Sequence, residues 1–340
     1  MRALVTGGGG FLAQYVVERL LGRDVEVRSF SRGDYPHLRE LGVDCRRGDL
    51  ADADAVTAAC AGVDIVYHTA SLAAMWGKYD RFYRTNVVGT QNVLAACRAH
   101  GIQRLVYTST PSVVFPMGDL EGVDEQQPYP PTFMAPYPAT KAEAEQEVLA
   151  AADEDLATCA LRPHLIWGPR DTHIVPMLAA RARQGKLVRI GDGTNRVDLT
   201  YVENAAAAHL LAGDRLTPNS AVSGQAYFIS DDAPVNMWDW IDDLLQRLDL
   251  PRPERRIPAG RAVRIGAVLE AVHKLLPFLG EPRLTRFLAS NFATSHYFDI
   301  TKAKRDLDYA PAVDNETGLQ RTVEWYQREY ATGTRDHDHD

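Results

Sequence analysis

Paired cysteines, a basic surplus and long apolar runs are all missing from this chain. Its four cysteines, Cys45, Cys60, Cys97 and Cys159, are scattered through 340 residues with no C-x-x-C spacing. That excludes a zinc knuckle or a dithiol redox centre and leaves reduced core thiols as the expectation. Lys and Arg total 37 against 45 Asp and Glu, a net charge of −8. Nucleic-acid binders gather cations to neutralise phosphates, so no nucleic-acid partner is expected. No apolar run reaches the roughly 20 residues that span a bilayer. The nearest approach, Ile265 to Leu279, is broken by Glu270, His273, Lys274 and Pro277, so no transmembrane segment is expected. Met1 to Thr6 lead directly into an apolar strand and a glycine turn. The charged and apolar regions of a signal peptide find no room there, and the cytoplasm is the expected compartment. The closing Arg335-Asp336-His337-Asp338-His339-Asp340 alternates metal-ligand types, but neighbouring ligands without a fold cannot preset a coordination shell. Residues 331–340 are read as a disordered tail, and no metal site is expected.

What is present is alternation. Short apolar runs at Ala3 to Val5, Val25 to Phe30, Val43 to Arg47, Ile65 to His68 and Leu105 to Thr108 are separated by helical patterns at 11–22, 52–60 and 79–100. Such alternation builds βαβ units around a parallel sheet. A helix over 137–152 and strands at Thr158 to Leu161 and Ala226 to Ile229 extend it to roughly seven strands. The expected fold is α/β, a Rossmann-type doubly wound parallel sheet with a smaller C-terminal substrate-binding lobe. Residues 1–165 form the dinucleotide-binding part, with returning segments near 195–212 and 225–230, and 166–330 form mainly the second lobe. Glycine and proline punctuation thickens after Arg162, where strict alternation ends. Within the second lobe, Ile265, Val268, Leu269, Val272, Leu275, Leu276 and Leu279 recur at helical spacing. Packing on the core and lining an apolar pocket are both open for that face.

The first strand runs into Thr6-Gly7-Gly8-Gly9-Gly10-Phe11-Leu12-Ala13, which opens a helix. Glycines at this junction let the backbone approach a pyrophosphate, whose charge is met by free N–H groups at the helix N-terminus. Two registers fit, Gly8-x-Gly10-x-x-Ala13 and Gly7-x-x-Gly10-x-x-Ala13. The second strand ends in Ser31-Arg32, where NAD enzymes place a carboxylate against the ribose 2′-hydroxyl. A hydroxyl donor beside a cation suits a 2′-phosphate instead, so NADP(H) is favoured. NAD(H) stays open if Arg32 is only a solvated loop residue. Asp49, followed by Leu50 after the third strand, is placed either to accept from the adenine amino group or to close a turn.

Tyr137-Pro138-Ala139-Thr140-Lys141 puts an ammonium one helical turn after a phenol, on the same face. An ordinary tyrosine titrates near about 10, and a neighbouring cation lowers that value. The strand before this helix ends in Tyr107-Thr108-Ser109-Thr110, hydroxyls at a carboxyl edge where open α/β sheets bind ligands.

On these motifs the chain resembles the extended short-chain dehydrogenase/reductase superfamily, also called the NAD-dependent epimerase/dehydratase superfamily, over most of its length. The resemblance implies an NAD(P)-dependent dehydrogenase or reductase. It makes Tyr137 the proton donor or acceptor, Lys141 its activator and a ribose ligand, and Thr110 the hydroxyl that orients the substrate oxygen, with Ser109 in reserve. It also implies cofactor roles for Gly7, Gly10, Phe11, Leu12, Thr69, Ala70, Ser71, Asn86, Thr108, and Pro163 and Leu165 beside the nicotinamide, with His164 between them either there or a packed imidazole, and a homodimer packed through the helices at 79–100 and 137–152. Within the superfamily, Ser71 to Gly77, Tyr107 to Phe115, Leu161 to Asp171 and Ser295 to Asp299 resemble the 3β-hydroxysteroid dehydrogenase-like branch, bacterial 2-alkyl-3-oxoalkanoate reductases included. Ala13 and Thr110 depart from that branch's usual glycine and serine. The implied substrate is a small hydrophobic ketone such as a long-chain 2-alkyl-3-oxo acid or a 3-ketosteroid-like compound, with Met75, Trp76, Phe115, Phe133 and Trp167 as candidate walls.

Two rivals remain. A nucleotide-sugar epimerase or dehydratase with bound NAD shares the fold and the Tyr-Lys pair. Dehydratases follow the active-site threonine with Asp-Glu, however, and here Pro111-Ser112 stands there. A non-catalytic NADP-sensing module is the other, although such proteins commonly lack the tyrosine.

Overall fold

The structure is a computed structural model and describes residues 1–116 and 118–330. Seven strands form one sheet: β1 (Arg2–Thr6), β2 (Glu26–Ser31), β3 (Asp44–Arg47), β4 (Ile65–His68), β5 (Arg104–Thr108), β6 (Ala157–Pro163) and β7 (Gln225–Ile229). Their order is β3-β2-β1-β4-β5-β6-β7, and every ladder is parallel. Strand order reverses at β1, which makes this the doubly wound Rossmann arrangement and opens a crevice beyond the carboxyl ends of β1 and β4. Helices cover both faces, so the central strands are apolar throughout: all seven residues of β6 are buried.

The covering helices that bear on the site are α1 (Phe11–Leu21), α2 (Gly89–Ala99), α3 (Pro136–Ala150) and α4 (Val202–Arg215). The continuous helix expected at 79–100 is broken into an α-turn over Tyr79–Phe82, a π-helical segment over Tyr83–Val88, and α2. π segments occur frequently at functional sites, and this one carries Asn86.

Beyond β6 the chain builds a second apolar cluster around Trp167, Tyr201, Trp238 and Trp240. A four-stranded sheet, in the order Val235–Asn236, Arg196–Val197, His296–Phe298, Leu120–Val123, lies beside it. The last of these strands comes from between β5 and β6. Helices α5 (Met237–Arg247) and α7 (Arg286–Asn291) contribute to the cavity described below, and α6 (Ala259–Leu275) packs against α7.

Helix α6 corrects the expectation for 261–279. Its apolar stripe faces outward: Val268 is 63% and Leu275 81% exposed, and Phe278 just beyond is 80% exposed. The inward face holds Ala262, Gly266 and Glu270. A Cβ on Gly266 would lie 2.7 Å from the Arg286 nitrogen, so α6 approaches α7 too closely for a large side chain. Glu270 locks that orientation by accepting from the Arg286 backbone and guanidinium at 2.7 and 2.8 Å. Burial therefore selects the small residues of α6. Leu275→Ala is accordingly expected to change the unfolding free energy by less than about 0.5 kcal/mol in urea melts, against the ~2–5 kcal/mol of a core leucine.

All four cysteines are free, Cys45 partly exposed and the other three buried. Among the described residues no helix is long and apolar enough to cross a membrane, and no cluster of three or more His, Cys, Asp or Glu could hold a metal. The expectations for 331–340 fall outside the described residues.

Candidate active site

The glycine turn joins β1 to α1. Gly7 has φ +69°, and a Cβ there would sit 3.0 Å from Ala70 Cα. The Gly10 N–H closes the turn on the Gly7 carbonyl at 2.7 Å. Gly10 also caps α1 without any side chain over the helix end, leaving its first N–H groups open to an anion. Gly7, Gly10, Phe11, Leu12 and Ala13 line a cleft of about 320 Å³. Gly8 and Gly9 do not; added Cβ atoms there would collide with Ser29 and Tyr35. The geometry selects the Gly7-x-x-Gly10 register.

The cleft continues over Ser31, Arg32, Asp49, Leu50, Thr69, Ala70 and Ser71. Ser31 Oγ is buried with no hydrogen-bond partner among the described residues. That orphaned hydroxyl, beside Arg32, fits a phosphorylated ribose. Asp49 also accepts the Ala51 N–H at 2.9 Å, the turn-closing arrangement. The floor is stitched by a buried relay. Ala70 N–H donates to Thr6 Oγ1 at 3.2 Å, which lies 2.7 Å from His68 Nδ1. His68 Nε2 lies 3.0 Å from Thr90 Oγ1, which donates to the Asn86 carbonyl at 2.6 Å. Burial, with Lys141 adding to it, lowers the His68 pKa to about 3, so the imidazole is a neutral brace.

Helix α3 carries a stripe at i, i+4, i+8. Tyr137 sits in its first turn, Lys141 one turn on, and Glu145 one turn further. Lys141 is 2% exposed; its ammonium donates to the Thr108 carbonyl at 2.6 Å and lies 4.0 Å from the Tyr107 ring centre. Burial lowers its pKa to about 7, against the raising pull of Glu145. Glu145 is held by Arg162 at 2.6 Å and by the Tyr129 hydroxyl at 2.7 Å. The Tyr137 phenol is pushed up to about 12 by burial, which outweighs the lowering hydrogen bond from Thr110. The expected lowering by Lys141 is thus not seen in the chain alone, because desolvation dominates and the ammonium is tied to Thr108. Thr110 Oγ1 lies 2.6 Å from Ser112 Oγ. The hydroxyl of Ser109, the reserve, is buried without a hydrogen-bond partner among the described residues, and Ser109 does not line the cavity.

Tyr137 and Thr110 open onto a cavity of about 200 Å³. Met75, Leu165, Trp167, Met237, Trp240 and Phe287 are among its walls, and its polar lining is Thr110, Ser112, Tyr137, His164, Asn291 and His296. No Lys, Arg, Asp or Glu lines it among the described residues. Ser71 lines the glycine cleft and Met75 the cavity, so one loop borders both.

Of the other residues singled out in the sequence, Asn86 is 2% exposed and its amide is committed to Leu72 and Thr140. Thr108 offers its carbonyl to Lys141 and its hydroxyl to His209 at 2.8 Å, and Pro163 pairs with Ile229 at the end of β6. These three and Lys141 line neither space. Trp76 and Phe133 are also outside the cavity, and Phe115 stacks edge-on behind His296. Sequence reasoning missed Thr85, Tyr35, Glu145, Arg162 and His296. Only Glu145 left a local signal, a carboxylate four residues beyond Lys141.

A doubly wound sheet and an open glycine turn, with half-buried Tyr137 one helical turn before buried Lys141, mark an NAD(P)-dependent oxidoreductase of the extended short-chain dehydrogenase class. The profile of the 3-beta hydroxysteroid dehydrogenase/isomerase family matches residues 4–259, and the chain belongs to that family. It is 53% identical to the 2-alkyl-3-oxoalkanoate reductase of Stenotrophomonas maltophilia (strain K279a), over 94% of this chain and 98% of that protein. It is 35% identical to the decarboxylating sterol-4-alpha-carboxylate 3-dehydrogenase of Mus musculus, over 95% and 90%. The fold is shared with the UDP-glucuronic acid 4-epimerase of Bacillus cereus, solved in complex with NAD, at TM-score 0.74 and 21% identity over 97% of this chain and all of that one.

Proposed function

We propose that the chain reduces the ketone of a hydrophobic 3-oxo acid with NADPH, or oxidises the matching alcohol. The observation that carries this reading is the apolar cavity with three hydroxyls, Tyr137, Thr110 and Ser112, in its wall. The names of both relatives above place a carboxylate on the carbon next to the oxidised or reduced one, which is the chemistry adopted here for the substrate. A dinucleotide held by Gly7, Gly10, Ser31 and Arg32 of the glycine cleft would supply the hydride for the carbonyl carbon. Thr110 hydrogen-bonds the carbonyl oxygen and fixes it beside Tyr137. Tyr137 gives that oxygen its proton. A phenol near 12 remains far more acidic than an aliphatic alcohol, so this transfer runs downhill. In this reading the Lys141 ammonium, kept charged in part by Glu145, turns from the Thr108 carbonyl toward the phenolate as it forms and stabilises it.

The cavity disfavours a nucleotide-sugar substrate, whose diphosphate needs cations that the lining lacks. Retention of Thr110, Tyr137 and Lys141 together disfavours a non-catalytic sensor. The test is NADPH oxidation against long-chain 3-oxo acids, ketosteroids and nucleotide sugars. Turnover is expected with the first class, and turnover of nucleotide sugars alone would overturn the reading. For the cofactor, Ser31 and Arg32 support a kcat/KM for NADPH about tenfold or more above that for NADH. Arg32→Ala is expected to erase most of that preference, read as the ratio of the two kcat/KM values.

A further inference from the structure

Two histidines that the chemistry above leaves unused meet in the cavity wall. His164 follows β6, and His296 begins the strand His296–Phe298, 132 positions away. His164 Nε2 lies 2.7 Å from His296 Nδ1, and His296 Nε2 lies 2.8 Å from the Asn291 carbonyl. A carbonyl only accepts, so His296 Nε2 carries its proton and Nδ1 is the acceptor. His164 Nε2–H must then donate to it. The Nδ1 of His164 is left as the ring's uncommitted polar atom, with no hydrogen-bond partner among the described residues, on a residue that lines the cavity.

The placement is held rigidly. Thr200 Oγ1 accepts the His164 N–H at 3.1 Å and donates to its carbonyl at 2.6 Å. The next residue, Leu165, has φ +40°, a conformation that a branched side chain adopts only when its surroundings impose it. Phe298 packs edge-on against the His164 ring at 5.3 Å, and Phe115 does the same to His296 at 5.7 Å.

We infer that the His164–His296 pair is the carboxylate subsite of this cavity: His164 Nδ1 takes up one proton from solvent as an acid substrate enters and donates it as a hydrogen bond to the carboxylate. This rests on the 3-oxo acid reading above. A carboxylate enclosed by apolar walls needs a partner of opposite charge, and the cavity lining holds no lysine or arginine. Among the described residues the imidazole pair is the only group lining it that can become cationic. Burial keeps both rings neutral beforehand, with each lowered below the ordinary histidine range. Other groups around the pair leave that balance intact. Asp119 lies outside the cavity lining and mildly raises His296. Asp198, also outside it, is raised to about 6 by burial and accepts the Phe298 N–H. Tyr137 and Thr110 present hydroxyls, and Asn291 is uncharged. No substrate bond breaks; the proton alone is exchanged with water. His164 contacts the acid, and His296 positions it.

The experiment compares a long-chain 2-alkyl-3-hydroxyalkanoate with its methyl ester, both oxidised with NADP⁺ between pH 6 and 9. The acid-to-ester ratio of kcat/KM cancels effects on Tyr137 and the cofactor. In the wild-type enzyme this ratio is expected to fall toward tenfold per pH unit as pH rises above the lowered pKa of His164 in the free enzyme, and to level off above the pKa of the complex. His164→Gln is expected to lower the ratio at pH 6 at least tenfold and to flatten its slope. Should that variant fail to fold, calorimetry on wild-type enzyme in buffers of different ionisation enthalpy decides: about one proton taken up with the acid and none with the ester. A ratio unchanged in His164→Gln, or no proton uptake, overturns the subsite. Failure of the wild-type enzyme to oxidise either compound would instead overturn the functional reading beneath it.

Discussion

Replacing Tyr137 by phenylalanine is expected to lower turnover by about 10²–10⁴-fold while dinucleotide affinity stays within about threefold. The phenol is the acidic hydroxyl of the cavity, and Thr110, 2.6 Å from Ser112, has an aliphatic hydroxyl too weakly acidic to replace it. Ring and helix are retained in the variant, so a general collapse of the site is not expected. Measured turnover within a few-fold of wild type, with the cofactor Kd determined separately by fluorescence titration, would remove Tyr137 from the chemistry. The opposite pattern, intact turnover at saturation with weakened cofactor binding, would make it a binding residue only.

Lys141→Met is expected to cost at least about 10²-fold in turnover and yet to stabilise the chain, on the order of 1–3 kcal/mol near neutral pH. Lys141 is almost wholly buried, and its pKa falls from the ordinary lysine value of 10.5 to about 7. Between those two values the unfolded chain holds a proton that the folded chain does not, so wild-type stability rises with pH through that window. The advantage of methionine is therefore largest below about pH 7 and shrinks toward pH 10.5. The carbonyl of Thr108, which loses a donor at 2.6 Å, offsets part of the gain. Urea melts of both proteins at pH 6 and 10 check the sign. A variant less stable than wild type at pH 6 would show that the hydrogen bond outweighs the desolvation of the ammonium.

Much of the dinucleotide half was legible because its signals are local. Gly7 and Gly10 lie three residues apart at a strand-to-helix turn, and Tyr137 and Lys141 one helical turn apart, so spacing alone carries their geometry. The alternation of apolar runs led to seven parallel strands, the number the sheet contains. Helix α6 was misread for an instructive reason. Period reports which side chains share a face, but the face that packs inward was decided by Gly266 and by a carboxylate finding Arg286. Similarly, Trp167 lines the cavity while Phe133, partly buried, packs against the main core, and composition does not distinguish them.

By itself, then, the chain determined what depends on neighbours in sequence: the strand-helix alternation, the open glycine turn, and the pairing of a phenol with an ammonium on one helix. Only the tertiary structure decided which glycine register faces the cleft, that Glu145 meets Arg162 beneath Lys141, and that His164 meets His296 across 132 positions. Those contacts join segments far apart in sequence. Their partners are chosen by packing and by the requirement that buried polar groups be paired, and neither leaves a period in the sequence.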